Sequence, residues 1–413
     1  MIAFLILIFT SSAVAAESVQ VSFDELPKLV TERNQHVKGA ESFALAAESQ
    51  TGHLVRSYLP NLEAHVGGER FNTGSFPTKS QPYGAIEARV NVFRGGRDSL
   101  ESQIRNEQVD QSRASFQQAY SEELTKARRA FWTMVYQREL VSLISDAIKQ
   151  NEQNLSGATR KIKAGLATET DRLEFDMYRV QLEQDFARAA LGVSNSQRTL
   201  NVLIGNADDT RVETVESIPH QHDDALLKAE LNTDHHRDVR SLSANQSVAE
   251  LQKSQAYRWW TPSVDVYGGY GLFTLRERDY ENLADRYETV VGARLTLNVF
   301  DGWQSRTQGR GMALQAEGYE NQKAQTAREL RAQFEGAKQE LNLTHELIHA
   351  SEKSVEQAKQ YLLRTQSEYA RGVKNSPDVF SATEKYIDMK RRYADIRKDY
   401  QIAKTELLAL LGK

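Results

Sequence analysis

The sequence predicts a mainly helical chain with a small membrane β part. It is built from two internal repeats and folded as one elongated protomer of an oligomeric β-barrel continued by a helical barrel. Three observations predict it. Matching segments recur in the same order about half a chain apart. Four runs of about 10 residues alternate with period two. Two helical stretches run for roughly 67 residues without a proline.

The repetition carries the most weight. Tyr58-Leu59-Pro60-Asn61-Leu62-Glu63-Ala64 matches Trp260-Thr261-Pro262-Ser263-Val264-Asp265-Val266. Val90-Asn91-Val92-Phe93-Arg94-Gly95-Gly96 matches Leu297-Asn298-Val299-Phe300-Asp301-Gly302-Trp303. Lys163-Ala164-Gly165-Leu166 matches Ala370-Arg371-Gly372-Val373, and the runs ending at Gly205 and Gly412 match in turn. The phenylalanine, mid-repeat glycine and terminal glycine pairs each stand 207 positions apart (93 to 300, 165 to 372, 205 to 412). The prolines stand 202 apart (60 to 262), so one loop between proline and phenylalanine differs in length.

Taken in order, residues 1–16 read as a secretory signal. An apolar run over residues 1–9 precedes Ala13-Val14-Ala15, a small-residue cleavage pattern. Residues 17–210 form the first repeat, 211–221 a connection and 222–413 the second repeat. The first helix has Ser22 or Asp24 as candidate caps, with Pro27 in its early turns. Strands are expected over 61–71 and 83–93, and again over 263–273 and 287–300. In each, apolar residues alternate with polar ones, as in Ile86, Ala88, Val90, Val92 against Glu87, Arg89, Asn91. A tilted strand of this length crosses a bilayer; pattern alone fits a half-buried soluble sheet equally well. Residues 71–82 and 273–286 are longer polar connections. Phe93, Trp259, Trp260, Phe300 and Trp303 cluster at the opposite strand ends, as an aromatic girdle at a membrane interface would.

Each repeat then enters a helix of roughly 100 Å, turns near 165 or 372, and returns by a helix of about 55 Å. Apolar residues lie in narrow stripes such as Leu124, Ala127, Phe131, Val135, a coiled-coil-like pattern. The composition agrees. Only 40% of the 413 residues are hydrophobic and 7 are proline, which suits thin helices better than a thick core. Four strands cannot close a barrel, and open strand edges are not tolerated in lipid. Closure therefore requires several chains.

The charge balance, 52 basic against 56 acidic residues, gives no reason to expect nucleic-acid binding. The absence of cysteine excludes disulfides, thiolate metal sites, a cysteine nucleophile and a lipid-bearing N-terminal cysteine. No run of 18 apolar residues exists to span a membrane as a helix. No phosphate-binding Gly-rich loop and no nucleophile elbow are present, so no enzyme activity and no cofactor are expected.

Two histidine patterns need weighing. His345-Glu346-Leu347-Ile348-His349 has the zinc-protease spacing. Its nearest tempting third ligand, Glu368, would lie about 28 Å along one helix. The equivalent stretch of the first repeat, Arg138-Glu139-Leu140-Val141-Ser142, keeps Glu and Leu and neither histidine, so the motif reads as helix surface. His220, His222, Asp223, His235 and His236 sit near the connection between repeats and read as a solvated loop and helix start. No metal is expected at either.

The duplicated layout, the proline opening each first strand, the two strand exits and the two glycine turns together resemble the TolC-like outer membrane factor family. The resemblance covers nearly the whole mature chain, from about Val21 to Gly412. It implies a homotrimer with a 12-stranded β-barrel and a 12-helix periplasmic tunnel, set in outer-membrane lipid. It also implies an exit duct serving a tripartite efflux pump or type I secretion, partnered by a periplasmic adaptor and a proton-driven or ABC inner-membrane transporter. The turns at Gly165, Leu166, Ala167 and Thr168, with Gly372 and Val373, would dock the adaptor. Asp378, with Asp171 and Glu174, would form carboxylate rings at the periplasmic entrance constriction. A family ring one helical turn on would fall at Ser381, which is not acidic. Asp378 can equally cap the returning helix. A coiled-coil scaffold of the cell envelope is the competing class.

Overall fold

In the computed structural model, residues 18–73, 76–165, 167–219, 224–272 and 288–412 are described. The expected signal segment, the loop at 273–286, Leu166, His220, His222 and Asp223 lie outside them. Strand β1 (Ser18–Gln20) leads through a 3₁₀ turn (Phe23–Glu25) into α1 (Leu26–Arg33), α2 (Gln35–Ser49) and α3 (His53–Arg56). Ser22 starts the 3₁₀ turn, its N–H donating to Glu25 Oε2 at 3.1 Å, and Pro27 sits where α1 has no hydrogen bond to lose. Then come β2 (Asn61–Thr73), β3 (Phe76–Phe93), α4 (Arg97–Lys163), α5 (Glu169–Leu203), β4 (Arg211–Glu213), α6 (Asp224–Leu227) and α7 (Arg237–Tyr257). The chain continues through β5 (Ser263–Leu272), β6 (Glu288–Thr296), α8 (Gln304–Ala370) and α9 (Ser376–Leu410). The long helices α4 and α8 each have 67 residues, and the returning helices α5 and α9 each have 35.

By contacts the chain divides into two compact units. One comprises Met1–Ala40, Gln117–His236 and Arg328–Lys413; the other comprises Glu41–Phe116 and Arg237–Ala327. Both units draw on both halves of the sequence. Among the described residues the second unit holds a four-stranded antiparallel sheet, ordered β2-β3-β5-β6, so the strands of the two halves of the sequence join at β3–β5. Its apolar face carries Leu62, Ile86, Val266, Val291 and Leu295, all exposed in the single chain. Its polar face carries Glu63, His65, Glu87, Arg89, Asp265 and Arg294, set in register by the ladders.

Strand limits differ from expectation in ways the ladder explains. β2 and β3 extend to Thr73 and Phe76, so the stretch read as a polar loop over 71–82 is mostly hairpin arms. β6 stops at Thr296 rather than 300. Its partner begins at Ser263, preceded by Pro262, which has no N–H to continue the ladder. The connection expected over 211–221 contains β4, which pairs in parallel with β1 through Val19 and Val212. A three-residue strand has too few alternations to announce itself in sequence.

In the other unit the helices pack in thin layers. Leu140, Ile144 and Ala147 of α4, Tyr178, Leu182 and Ala189 of α5, and Ile387 of α9 form one cluster. Phe334, Leu341 and Ile348 of α8 meet Tyr400, Ala403 and Leu407 of α9 in another. The N-terminal Phe23 ring lies 5.0 Å from the Trp132 ring, with the Arg128 guanidinium stacked on it.

Candidate functional site

The two helical turns are built by the same local chemistry. At the end of α8, the Gly372 N–H donates to Tyr369 O (3.1 Å) and the Val373 N–H to Glu368 O (2.9 Å), a Schellman closure. It requires a left-handed residue, and Gly372 has φ +79°. At the end of α4, Gly165 has φ +72° and its N–H donates to Ile162 O at 2.9 Å. Added side-chain carbons at either glycine would meet open space. Ala167 is half-buried, while Thr168 and Val373 are exposed.

Each returning helix starts in a capping box. The Thr168 N–H donates to Asp171 Oδ2 at 2.8 Å, and the Asp171 N–H returns to Thr168 Oγ1 at 3.4 Å. Asn375 and Asp378 repeat this, with both bonds at 3.3 Å. Asp378 also lies 3.5 Å from Lys374 Nζ. Its carboxylate therefore serves the helix start and a neighbouring ammonium, which reduces the field it can project.

Asp171 and Glu174 come together on a residue the sequence did not single out. Ser376, fully buried, sets its hydroxyl against Asp171 Oδ1 and 3.0 Å from Glu174 Oε2. One hydroxyl has one proton to donate, so two carboxylates share a single donor. Burial pushes the Asp171 carboxyl up, but hydrogen bonds from Ser376 and Thr168 outweigh it and hold its pKa below the ordinary aspartate value. Lys161 Nζ donates to Tyr369 O at 2.5 Å and lies 3.5 Å from the centre of the Tyr369 ring. The two turns of one chain are thus tied by Ser376 and by Lys161. Below them Ala158, Phe175 and Val379 form a small buried cluster, and the buried Asn151 donates to Phe175 O at 2.8 Å. No sequence signal marks Ser376, because its partners lie more than 200 positions away.

The aromatic residues sit in the sheet-bearing unit, at the strand ends next to the helices. Phe93 closes β3 beyond a bulge, Trp260 is exposed after α7, and Trp259 is half-buried. Phe300 and Trp303 pack edge to face at 6.1 Å. The exit turn of β3 locks on the turn before β5: Arg258 Nη1 donates to Gly95 O (3.3 Å) and Arg97 Nη2 to Thr261 O (3.1 Å). Gly95 and Gly96 are left-handed there, at φ +62° and +74°, and Gly302 and Trp303 take the same conformation after β6.

The histidine motif places the His345 and His349 rings 5.0 Å apart, edge to face, with His345 6.0 Å from the Tyr400 ring. Among the described residues, no three His, Asp or Glu side chains gather where a metal could be held. His235 lies in a 3₁₀ turn and His236 is buried.

Comparisons with known proteins bear on the fold. Residues 230–413 match the family described as outer membrane efflux protein. No curated protein matches the chain. Three solved structures share the fold over 94% of it. The Campylobacter jejuni CmeC outer membrane channel is 14% identical, with a TM-score of 0.78 and 85% of that chain covered. The Vibrio cholerae outer membrane protein VceC is 15% identical, at 0.73 and 96%. The open state of the Neisseria gonorrhoeae MtrE outer membrane channel is 17% identical, at 0.75 and 88%.

Proposed function

We propose that this chain, whose residues 230–413 match the outer membrane efflux protein family, is a TolC-like outer membrane factor and forms the exit duct of a tripartite efflux pump or a type I secretion system. The observation that carries the reading is the sheet. Among the described residues, four strands leave β2 and β6 unpaired on their outer sides, with an exposed apolar face and a polar face behind it. Lipid accepts such a sheet only as part of a closed barrel. β2 and β6 run in opposite directions, so the β6 edge of one copy can pair antiparallel with the β2 edge of the next. Three copies give a 12-stranded barrel with the polar face lining the lumen. The helices continue it as a periplasmic tunnel.

In this reading Phe93, Trp259, Trp260, Phe300 and Trp303 form the periplasmic girdle of the barrel. Gly165, Ala167, Thr168, Gly372 and Val373, with Leu166, form the surface that meets a periplasmic adaptor. Asp171, Glu174 and Asp378 stand at the entrance constriction, repeated three times by symmetry. The inner-membrane transporter supplies the energy, and opening is a population shift of the tip helices favoured by adaptor contacts.

Substitution at Gly372 tests the docking role. A tryptophan there meets open space inside the chain and strains one turn by about 1–2 kcal/mol. The expected outcome is normal trimer yield with export of drug or toxin lost in a complementation assay. Export at the wild-type rate would count against docking at this turn.

A further inference from the structure

The polar face of the sheet carries a paired feature that the duct reading does not use. On β2, Gly67 lies opposite Tyr83 of β3. A side-chain carbon on Gly67 would fall 2.4 Å from Tyr83 Cζ and 2.5 Å from its hydroxyl oxygen. On β6, Gly292 lies opposite Tyr267 of β5, and the same carbon would fall 2.6 Å from the Tyr267 hydroxyl and 2.7 Å from Cζ. In both places the far end of the ring meets the glycine. The ring therefore lies along the sheet and across the neighbouring strand, instead of standing upright as strand side chains commonly do. The Arg294 guanidinium stacks on the Tyr267 ring at 5.3 Å.

The placement of these pairs is informative. The sheet order is β2-β3-β5-β6, so both glycines are on its two outer strands and both tyrosines are on its two inner strands. Inheritance from the repeat does not explain this. In the first hairpin the glycine is on the leading strand, whereas in the second it is on the trailing strand. What the two glycines share is an unpaired edge. A glycine in an edge strand weakens it, and an aromatic ring laid over it restores order and register. Each ring also runs outward, toward the side where another strand must add.

We propose that the Gly67–Tyr83 and Gly292–Tyr267 joints hold the two edge strands in register to receive the edge strands of a second copy of this chain, and so determine barrel closure. The proposal rests on the trimeric-barrel reading above. A side chain at 67 or 292 falls within 3 Å of the end of the ring and forces that ring off the neighbouring strand. Gly84 and Gly268, on the apolar face of the inner strands, have no neighbour nearer than 3.7 Å to an added carbon and serve as controls.

The test uses the full-length protein in detergent, with trimer read as the heat-dissociable band on a semi-native gel and helix content by circular dichroism. Gly67→Ala combined with Gly292→Ala is expected to lower the trimer fraction about tenfold, a usual size for overpacking. Gly84→Ala with Gly268→Ala should leave it unchanged. Adding Tyr83→Ser and Tyr267→Ser to the edge pair removes the collision and should recover trimer, even if the edge variant alone misfolds. Undiminished trimer in the edge variant, equal loss in the control variant, or no recovery on removing the rings overturns the proposal. A wild-type protein that forms no trimer contradicts the barrel reading instead, so the two failures are distinct.

Discussion

Ser376 shows how much one buried hydroxyl decides. It stands between Asp171 and Glu174 and joins the two turns of a chain across 205 positions. Ser376→Ala leaves two carboxylates facing each other without their shared donor, at a cost of about 1–3 kcal/mol. Hydrogen exchange at residues 168–176 and 376–383 should quicken, while exchange in the sheet stays unchanged. The pH dependence has a definite sign. Because the Asp171 pKa is lowered in the folded chain, its contribution is fully present above the ordinary value of 3.8 and is lost as pH falls through the lower folded value. Tip protection should therefore be flat between pH 5 and 8 and fall only below pH 3.8. A loss of protection between pH 5 and 7 would show that another group controls the turn. The sequence made Asp171 and Glu174 visible as acids after a glycine turn. It could not reveal Ser376, since a contact across 205 positions leaves no local pattern.

At the scale of elements, the helices were more legible than the strands. A helix of 67 residues repeats its stripe many times, so its period is plain. Gly165 and Gly372 mark the turns because only a left-handed residue completes each closure. Strand ends depend on a partner that sequence does not display. β6 ends where Pro262 ends its partner's ladder, and β2 and β3 pair through residues whose polarity reads as a loop. Asp378 illustrates a residue with two chemical readings. It is an acid near the proposed entrance, and it also closes the capping box of α9 with Asn375. Asn375→Ala removes the side-chain half of that box and should destabilise the first turn of α9 by about 1 kcal/mol. The Asp378 carboxylate would keep the backbone N–H of residue 375 and Lys374, while its own N–H would lose its acceptor. The change should be seen as faster exchange at residues 376–380, with trimer yield unaltered. Unchanged exchange there would mean that packing of Val379 against Ala158 and Phe175 holds the turn without the cap.

For the whole molecule, low hydrophobicity and an incomplete sheet have one explanation in the proposed duct. A wall one helix thick, with water on both sides, needs narrow apolar stripes rather than a thick core. A four-stranded sheet with open edges and Val66 and Val291 exposed at 88% and 79% needs both lipid and further copies of itself. The two halves of the sequence do not become two domains. Their strands merge in one sheet, and each compact unit takes segments from both halves. A scaffold built from the same helices would have no need of a continuous lumen, which is the property that separates it from a duct. Single-channel recording of the purified trimer in planar lipid bilayers measures that property directly. The duct account predicts stepwise ion conductance in discrete units after insertion. Trimers that insert into the bilayer and pass no current at any applied voltage would contradict it.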